Sequence, residues 1–482
     1  MAKTYLLLFY CITIFIFLAF RICSEVSFCD QPPFATLCGS IIGRESESRD
    51  FGIKVSQARE ALKRFLDMPH VMFDYQIDAA LKDCLELYED VINHLNLSIS
   101  DIKPIDVGIW VSETVINHQI CLNGFKYPEW SNLFEDVLVG HKASASNLPM
   151  TYDHGLIQLA EEGGTTQANL VVAQDGSGDF GTITEALEAS ANQRTGTDRF
   201  VIYVKAGIYK ENIIINGSMT NLTLIGDGID LTVITNDKNI YEGLLTSNTA
   251  TVQVWGQGFI AVGITFENTA GPEKEQAIAL LSASDLSVFY KCSFRGYQDT
   301  LCLLEQRQFY RECDIYGTVD FIFGDASAVL QNCNIYVRTP LPGQQNTITA
   351  QGRDNSDSYT GFVIHNSRVC PDPDSTLADG MVVTYLGRPW RDYSRVLYVK
   401  CDLDIEIDPA GWLAFRGNSI YDNVYYAEYM NTGKGANTSG RITWPGYHVL
   451  TTDDEAEQFS VRVFLSGDSW IPETGLPFDY DI

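Results

Sequence analysis

The stretch GYQDTLCLLEQRQFYRECDIYGTVDFIFG, residues 296–324, sets two acids among apolar and aromatic neighbours, Asp299 after Gly-Tyr-Gln and Asp320 between Val319 and Phe321-Ile322-Phe323. A carboxylate in such company is costly to bury unless it is paired or used. The two lie 21 residues apart, and that interval recurs nearby: Cys292, Cys313 and Cys333 follow one another at 21 and 20 residues, and Gln276 precedes Gln298 by 22. Loose repeats of about 20 residues, each holding short strands, predict a coil that stacks on itself. In a right-handed parallel β-helix, residues one coil apart lie above each other at ~4.8 Å, the strand spacing. Asp299 and Asp320 are then neighbours in adjacent coils, with Gln276 and Gln298 on the same face.

The surrounding sequence fits this reading from about residue 168 onward. Short β-rich runs recur, among them 222–225, 259–266, 286–290, 328–330, 362–364 and 396–399, with polar or glycine-containing turns between them. No helical pattern alternates with them, which disfavours an open α/β sheet. Residues 52–122 differ. Apolar side chains there recur at three- and four-residue intervals, as in 60–66 and 79–91, predicting a small helical bundle. Residues 141–167 are rich in Ser, Gly, Thr and Glu and read as a linker. A length of 482 residues suits two such domains.

The chain carries 33 Lys and Arg against 62 Asp and Glu, a net charge of -29. Both halves are acidic, so nucleic acid is excluded as an expected partner. Lys3 followed by an apolar run of 16 residues, Tyr5 to Phe20, reads as a signal peptide over 1–24. An uncleaved anchor is the rival reading, given Arg21 and the lack of a clean cleavage site. Secretion agrees with the 12 cysteines, and with Asn-x-Ser/Thr sequons at Asn96, Asn216, Asn221 and Asn437.

Two adjacent carboxylates cannot both ionise cheaply; one pKa rises, which supplies an acid and a nucleophile from identical side chains. Gln276 and Gln298 could donate to a developing oxyanion, worth ~3 kcal/mol each in a dry site. These parts suit acyl transfer and equally a retaining glycosidase. Spaced Asp and Gln in a solenoid often only cap turns, and an isolated pair favours that reading. A third stretch, Leu386-Gly-Arg-Pro-Trp390, moves the balance. Arg388 could hold a carboxylate by two parallel bonds, and Trp390 could offer a flat face to a sugar or serve as core.

These residues carry a family resemblance. Residues 168–482 resemble plant pectin methylesterases in five motifs taken in order: Gly207-Ile-Tyr-Lys-Glu211, Gln276-Ala-Ile-Ala-Leu280, Gly296-Tyr-Gln-Asp-Thr-Leu301, Asp320-Phe-Ile-Phe-Gly324 and Leu386-Gly-Arg-Pro-Trp390. The resemblance implies an all-β right-handed parallel β-helix. Residues 25–140 resemble the family's inhibitor-like pro-region, an all-α four-helix bundle with bridges at Cys29–Cys38 and Cys84–Cys121. A Cys313–Cys333 bridge is implied as well. By the same resemblance Asp320 is the nucleophile, Asp299 the general acid and base, and Gln276 and Gln298 the oxyanion stabilisers. Arg388 orients Asp320, while Gln276, Arg388 and Trp390 bind the sugar chain. No metal or cofactor enters. The implied substrate is methyl-esterified homogalacturonan of the cell wall, acted on by a secreted monomer, with an inhibitor protein as the other expected partner.

Three departures stand out. Residues 131–167 hold a single Lys or Arg, Lys142, so a dibasic cleavage site is missing and the pro-region is expected to stay attached. That leaves autoinhibition open. Cys302 stands where the family usually has Tyr, and Asp325 where Asn is common. Asp325 is expected to raise a carboxylate pKa in the dyad. Gly176-Ser-Gly-Asp-Phe-Gly181 matches a dinucleotide-binding pattern, but no βαβ alternation follows; it reads as a capping turn into a short helix. The seven histidines show no metal-ligand spacing, and no G-x-S-x-G elbow occurs. A chain-cutting lyase or glycosidase, and a non-catalytic wall-binding protein or inhibitor, remain the competing readings.

Overall fold

The computed structural model describes residues 168–194, 198–375, 382–415 and 421–482. The expected signal peptide over 1–24, the bundle over 25–140 with Cys29–Cys38 and Cys84–Cys121, the sequon at Asn96 and the linker over 141–167 lie outside them.

Within the described residues the strands form three parallel sheets of eleven, eight and seven strands. Each complete coil gives one strand to each sheet, and the coils at the two ends extend the eleven-stranded sheet. Leu301–Leu303, Arg307–Arg311 and Asp314–Gly317 make one coil; Val319–Gly324, Ser327–Gln331 and Asn334–Val337 make the next. Each strand pairs with its counterpart in the neighbouring coil: Leu301 with Ile322, Arg311 with Gln331, Tyr316 with Tyr336. This is the parallel β-helix that the residue interval predicts.

One-coil stacking turns sequence repeats into side-chain ladders. Phe266 stacks on Phe294 at 5.6 Å and Phe289 on Tyr310 at 4.7 Å inside the helix. Tyr316 stacks on Tyr336 at 4.5 Å. One corner repeats through six coils. Lys291, Glu312, Asn332, Asn366, Lys400 and Met430 all take positive φ, between 49° and 57°. Such a backbone is unfavourable for residues other than glycine. Here successive corners bond to the next coil, as in Lys291 N to Arg311 O at 3.0 Å and Asn366 N to Val399 O at 2.9 Å. The residue after each corner is Cys292, Cys313, Cys333, Ser367, Cys401 or Asn431.

The six cysteines of the described residues are all free and buried. The Cys313–Cys333 bridge implied by resemblance is therefore not formed. Each of these thiols donates instead to a carbonyl of the preceding coil, Cys313 Sγ to Phe289 O at 3.3 Å and Cys333 Sγ to Tyr310 O at 3.7 Å.

Both ends of the described residues cover apolar surface. The 176–181 stretch leads into a helix over Ile183–Gln193, capped by Thr182, whose hydroxyl accepts from Glu185 N. Ile183, Ala186 and Leu187 join the interior core. The outer face of the eleven-stranded sheet is also apolar, with Val288, Phe309, Val329, Val363 and Leu397 in line. Phe459, Val461, Leu465, Trp470 and Ile471 from the carboxy-terminal segment cover it. Gln331 clamps that segment: its Nε2 donates to Asp479 O at 3.0 Å, and its Oε1 accepts from Asp479 N at 2.8 Å.

Candidate active site

The seven-stranded sheet presents both acids. Val319–Gly324 pairs with Asn346–Gln351, and the register slips by one residue between Val319 and Ile322. An extra residue in a strand bends it and re-aims side chains. Here Phe321 turns into the core, fully buried, while Asp320 leaves the regular ladder with φ 51°. Gly317 makes room: a Cβ there would lie 2.2 Å from the Phe321 Cβ. Asp299 also has positive φ, 60°, in the turn before Leu301–Leu303. Aspartate tolerates that conformation better than most residues, yet each instance stores strain of order 1 kcal/mol.

Asp320 is held from two sides. Arg388 donates to it twice, Nε to Oδ1 at 2.7 Å and Nη2 to Oδ2 at 2.6 Å. The Thr347 hydroxyl donates to Oδ1 at 2.6 Å and accepts from Asp320 N at 2.9 Å. The Arg388 guanidinium lies 4.8 Å from the Phe415 ring centroid. Asp299 is buried beside them, its backbone N bonded to Val319 O at 3.0 Å. Burial raises its pKa well above the usual carboxylate value; the Asp320 charge adds to the rise and Arg388 opposes it. The dyad thus contains one buried, proton-retaining acid and one carboxylate gripped by a guanidinium.

Gln276 and Gln298 occupy adjacent coils, with Ala277 N bonded to Gln298 O at 3.3 Å. The Gln276 Oε1 is buried and meets no hydrogen-bond partner in the protein. The residue before it, Glu275, has φ 57° and ψ -127°, a region of the map normally left to glycine. Trp390 is 38% exposed, so it is not core. It meets Phe323 edge-on at 6.1 Å and lies over Gly352, where a Cβ would be 2.7 Å from its ring. The structure therefore brings Asp299, Asp320 and Arg388 together, with Gln276, Gln298 and Trp390 on neighbouring turns of the same sheet.

Two expectations need correction or extension. The charges acting on Asp299 are those of Asp320 and Arg388, not Asp325. Asp325 is buried in a separate network with Gln351 and Thr360. Cys302 is buried near Asp299, and burial raises its thiol pKa well above the usual value, with the Asp299 and Glu305 charges adding to the rise. Thr347, Phe323 and Phe415 were missed. Thr347 is 27 residues from Asp320, and only the bulged register reveals that they meet. Of the described sequons, Asn216 and Asn437 are exposed, whereas Asn221 is half-buried with its side chain against Gly258.

A buried acid beside a fixed carboxylate, with amide groups one coil away, can attack a carbonyl, stabilise an oxyanion and protonate a leaving group. Comparison with known proteins agrees in kind. A family model described as Pectinesterase matches residues 169–468, and one described as Plant invertase/pectin methylesterase inhibitor matches residues 26–160. The chain is 43% identical to "Probable pectinesterase/pectinesterase inhibitor 6" of Arabidopsis thaliana, over 90% of this chain and 86% of that relative. It is 47% identical to "Pectinesterase 2" of Citrus sinensis, over 83% of this chain and 81% of that relative. A solved structure of pectin methylesterase from carrot superimposes with a TM-score of 0.64 at 46% identity, covering 66% of this chain and 99% of that one.

Proposed function

The chain belongs to the pectinesterase family of carboxylic ester hydrolases, and from that footing we propose that Asp320 and Asp299 together hydrolyse the methyl esters of cell-wall pectin. Asp320 attacks the ester carbonyl, and Gln276 and Gln298 donate hydrogen bonds to the tetrahedral oxyanion. Asp299 gives its proton to the departing methanol, which leaves an acyl anhydride on Asp320. Asp299, now a base, takes a proton from water as the water attacks that anhydride. The second collapse restores Asp320 and frees the galacturonic acid, whose carboxyl proton passes to solvent to give the galacturonate, and leaves Asp299 protonated. Arg388 orients Asp320 throughout, and Trp390 gives the sugar ring a flat face.

The observation that carries this reading is the two-bond grip of Arg388 on Asp320 beside a buried Asp299 whose pKa is raised. Hydrolysis by these groups is tested by methanol release from highly methylated pectin. The wild-type protein should release methanol while Asp320→Ala should not. Shortening of the polymer without methanol would point to a lyase or glycosidase instead.

The second part of the proposal concerns the amino-terminal half. Its match to the inhibitor family and the lack of any Lys or Arg other than Lys142 over 131–167 support a pro-region that stays attached and restrains the esterase. The protein is then a secreted cell-wall enzyme carrying its own inhibitor. Residues 168–482 alone should turn over faster than the full chain; equal rates would remove the autoinhibition.

A further inference from the structure

Asp325 follows the dyad strand and takes no part in the reaction proposed above. Its Oδ1 accepts from Gln351 Nε2 at 3.0 Å and from the Thr360 hydroxyl at 2.5 Å. Gln351 is a junction. Its Oε1 accepts from Arg353 N at 3.0 Å and Arg395 N at 2.8 Å, and its backbone carbonyl accepts from Trp390 N at 3.2 Å. Gly352 N bonds to Gly324 O at 2.8 Å beneath the Trp390 ring. One buried carboxylate therefore holds the Gln351 side chain, whose amide oxygen ties the backbone of Arg353 and Arg395, while the backbone carbonyl of the same residue receives Trp390 N. The charged groups facing it are Arg353 and Asp354 on the adjacent turn, and Arg391 and Arg395 from the next coil. Tyr359 in turn faces Arg395.

We propose that Asp325 is a positioning residue that sets Trp390 through Gln351, so that its charge state governs how tightly this site holds the pectin chain. The proposal rests on Trp390 being the sugar-binding face. Burial is the main cause that raises the Asp325 carboxyl to about 7; the Thr360 bond opposes the rise, the Asp354 charge adds to it, and Arg391 and Arg353 oppose it. Ionised Asp325 accepts both hydrogen bonds more strongly than the neutral acid does. Galacturonate itself is fully ionised throughout this range, so the substrate contributes no step there.

The test uses the full chain and Asp325→Asn, which keeps the shape and removes the charge. The wild-type KM for methylated pectin should fall about threefold from pH 6 to pH 8, the share of one buried hydrogen bond. In Asp325→Asn the KM should stay flat while the kcat profile keeps its shape. Thr360→Val removes a donor to the ionised form and should move the KM step to higher pH. Tryptophan fluorescence reads the same event without turnover. The component lost in Trp390→Phe should titrate near pH 7 in the wild type and not in Asp325→Asn. A step surviving in Asp325→Asn, or a wild type with no step by fluorescence, overturns the proposal. A fluorescence step without methanol release overturns the esterase reading alone.

Discussion

Asp299, in the turn before its strand, and Asp320, at the bulge within one, both have positive φ, 60° and 51°. Their roles diverge through their partners. Asp299 must hold a proton to act as an acid, so kcat should fall as pH rises through its elevated pKa. Asp299→Asn should lower kcat about 10³-fold and flatten that limb in a pH–rate profile. Arg388→Lys keeps the charge but loses the fork that makes two parallel bonds to Asp320, and should cost about 10²-fold in kcat. The pairing of the acids was legible because a 21-residue interval equals one coil. Their backbone conformation was not, since neither spacing nor polarity encodes φ. Nor was the Asp325 network: its neighbours Gln351, Thr360 and Arg395 gather only after the coils stack, and no short motif joins them.

At the level of strands and turns, the coil was written in the sequence by the cysteine interval, while the bulge that frees Asp320 was not. Gly324 closes the bulged strand with φ 121°, and a Cβ there would lie 1.9 Å from Leu303 O. Gly324→Ala should therefore cost roughly 2–4 kcal/mol in denaturant unfolding. Gly343, with φ 86° and open space around it, should cost only about 1 kcal/mol when changed to alanine. The corner ladder makes its own forecast. Ser367 already occupies the place taken by cysteine in neighbouring coils, and its hydroxyl reaches Leu330 O of the preceding coil at 3.2 Å as Cys333 Sγ reaches Tyr310 O. Cys333→Ser should then cost less than about 1 kcal/mol, against roughly 2–5 for loss of a bridge. A loss in the larger range would restore the disulfide.

For the molecule as a whole, two buried groups tilt stability in opposite directions with pH. Burial pushes His365 down to about 4, against an opposing Asp479 charge, and its Nδ1 meets Gln331 Nε2 at 3.0 Å. The unfolded chain binds more protons at this site between pH 4 and about 6.5, so stability rises with pH there and is lost as pH falls. Asp325, raised to about 7, does the reverse: the folded chain holds the extra proton, and stability falls as pH rises from about 4 to 7. His365→Gln should make Tm fall more steeply with rising pH across that window, and Asp325→Asn should make it rise. Equal Tm–pH slopes in all three proteins would refute both assignments.

The clamp between Gln331 and Asp479 joins residues 148 apart, whereas Leu301 and Ile322 are one coil apart. Short loops close at low entropic cost, so each coil can wind onto the last as it leaves the ribosome. The carboxy-terminal cover must wait. At 5–20 residues per second, the 148 residues after Gln331 take roughly 7–30 s to synthesise. During that interval Asp320 and its surroundings can be in place while Phe309, Val329 and Val363 stand bare on the outer sheet. The nascent chain is thus at its stickiest after its chemistry is assembled and before its last thirty residues arrive, and that is when a chaperone has most to shield.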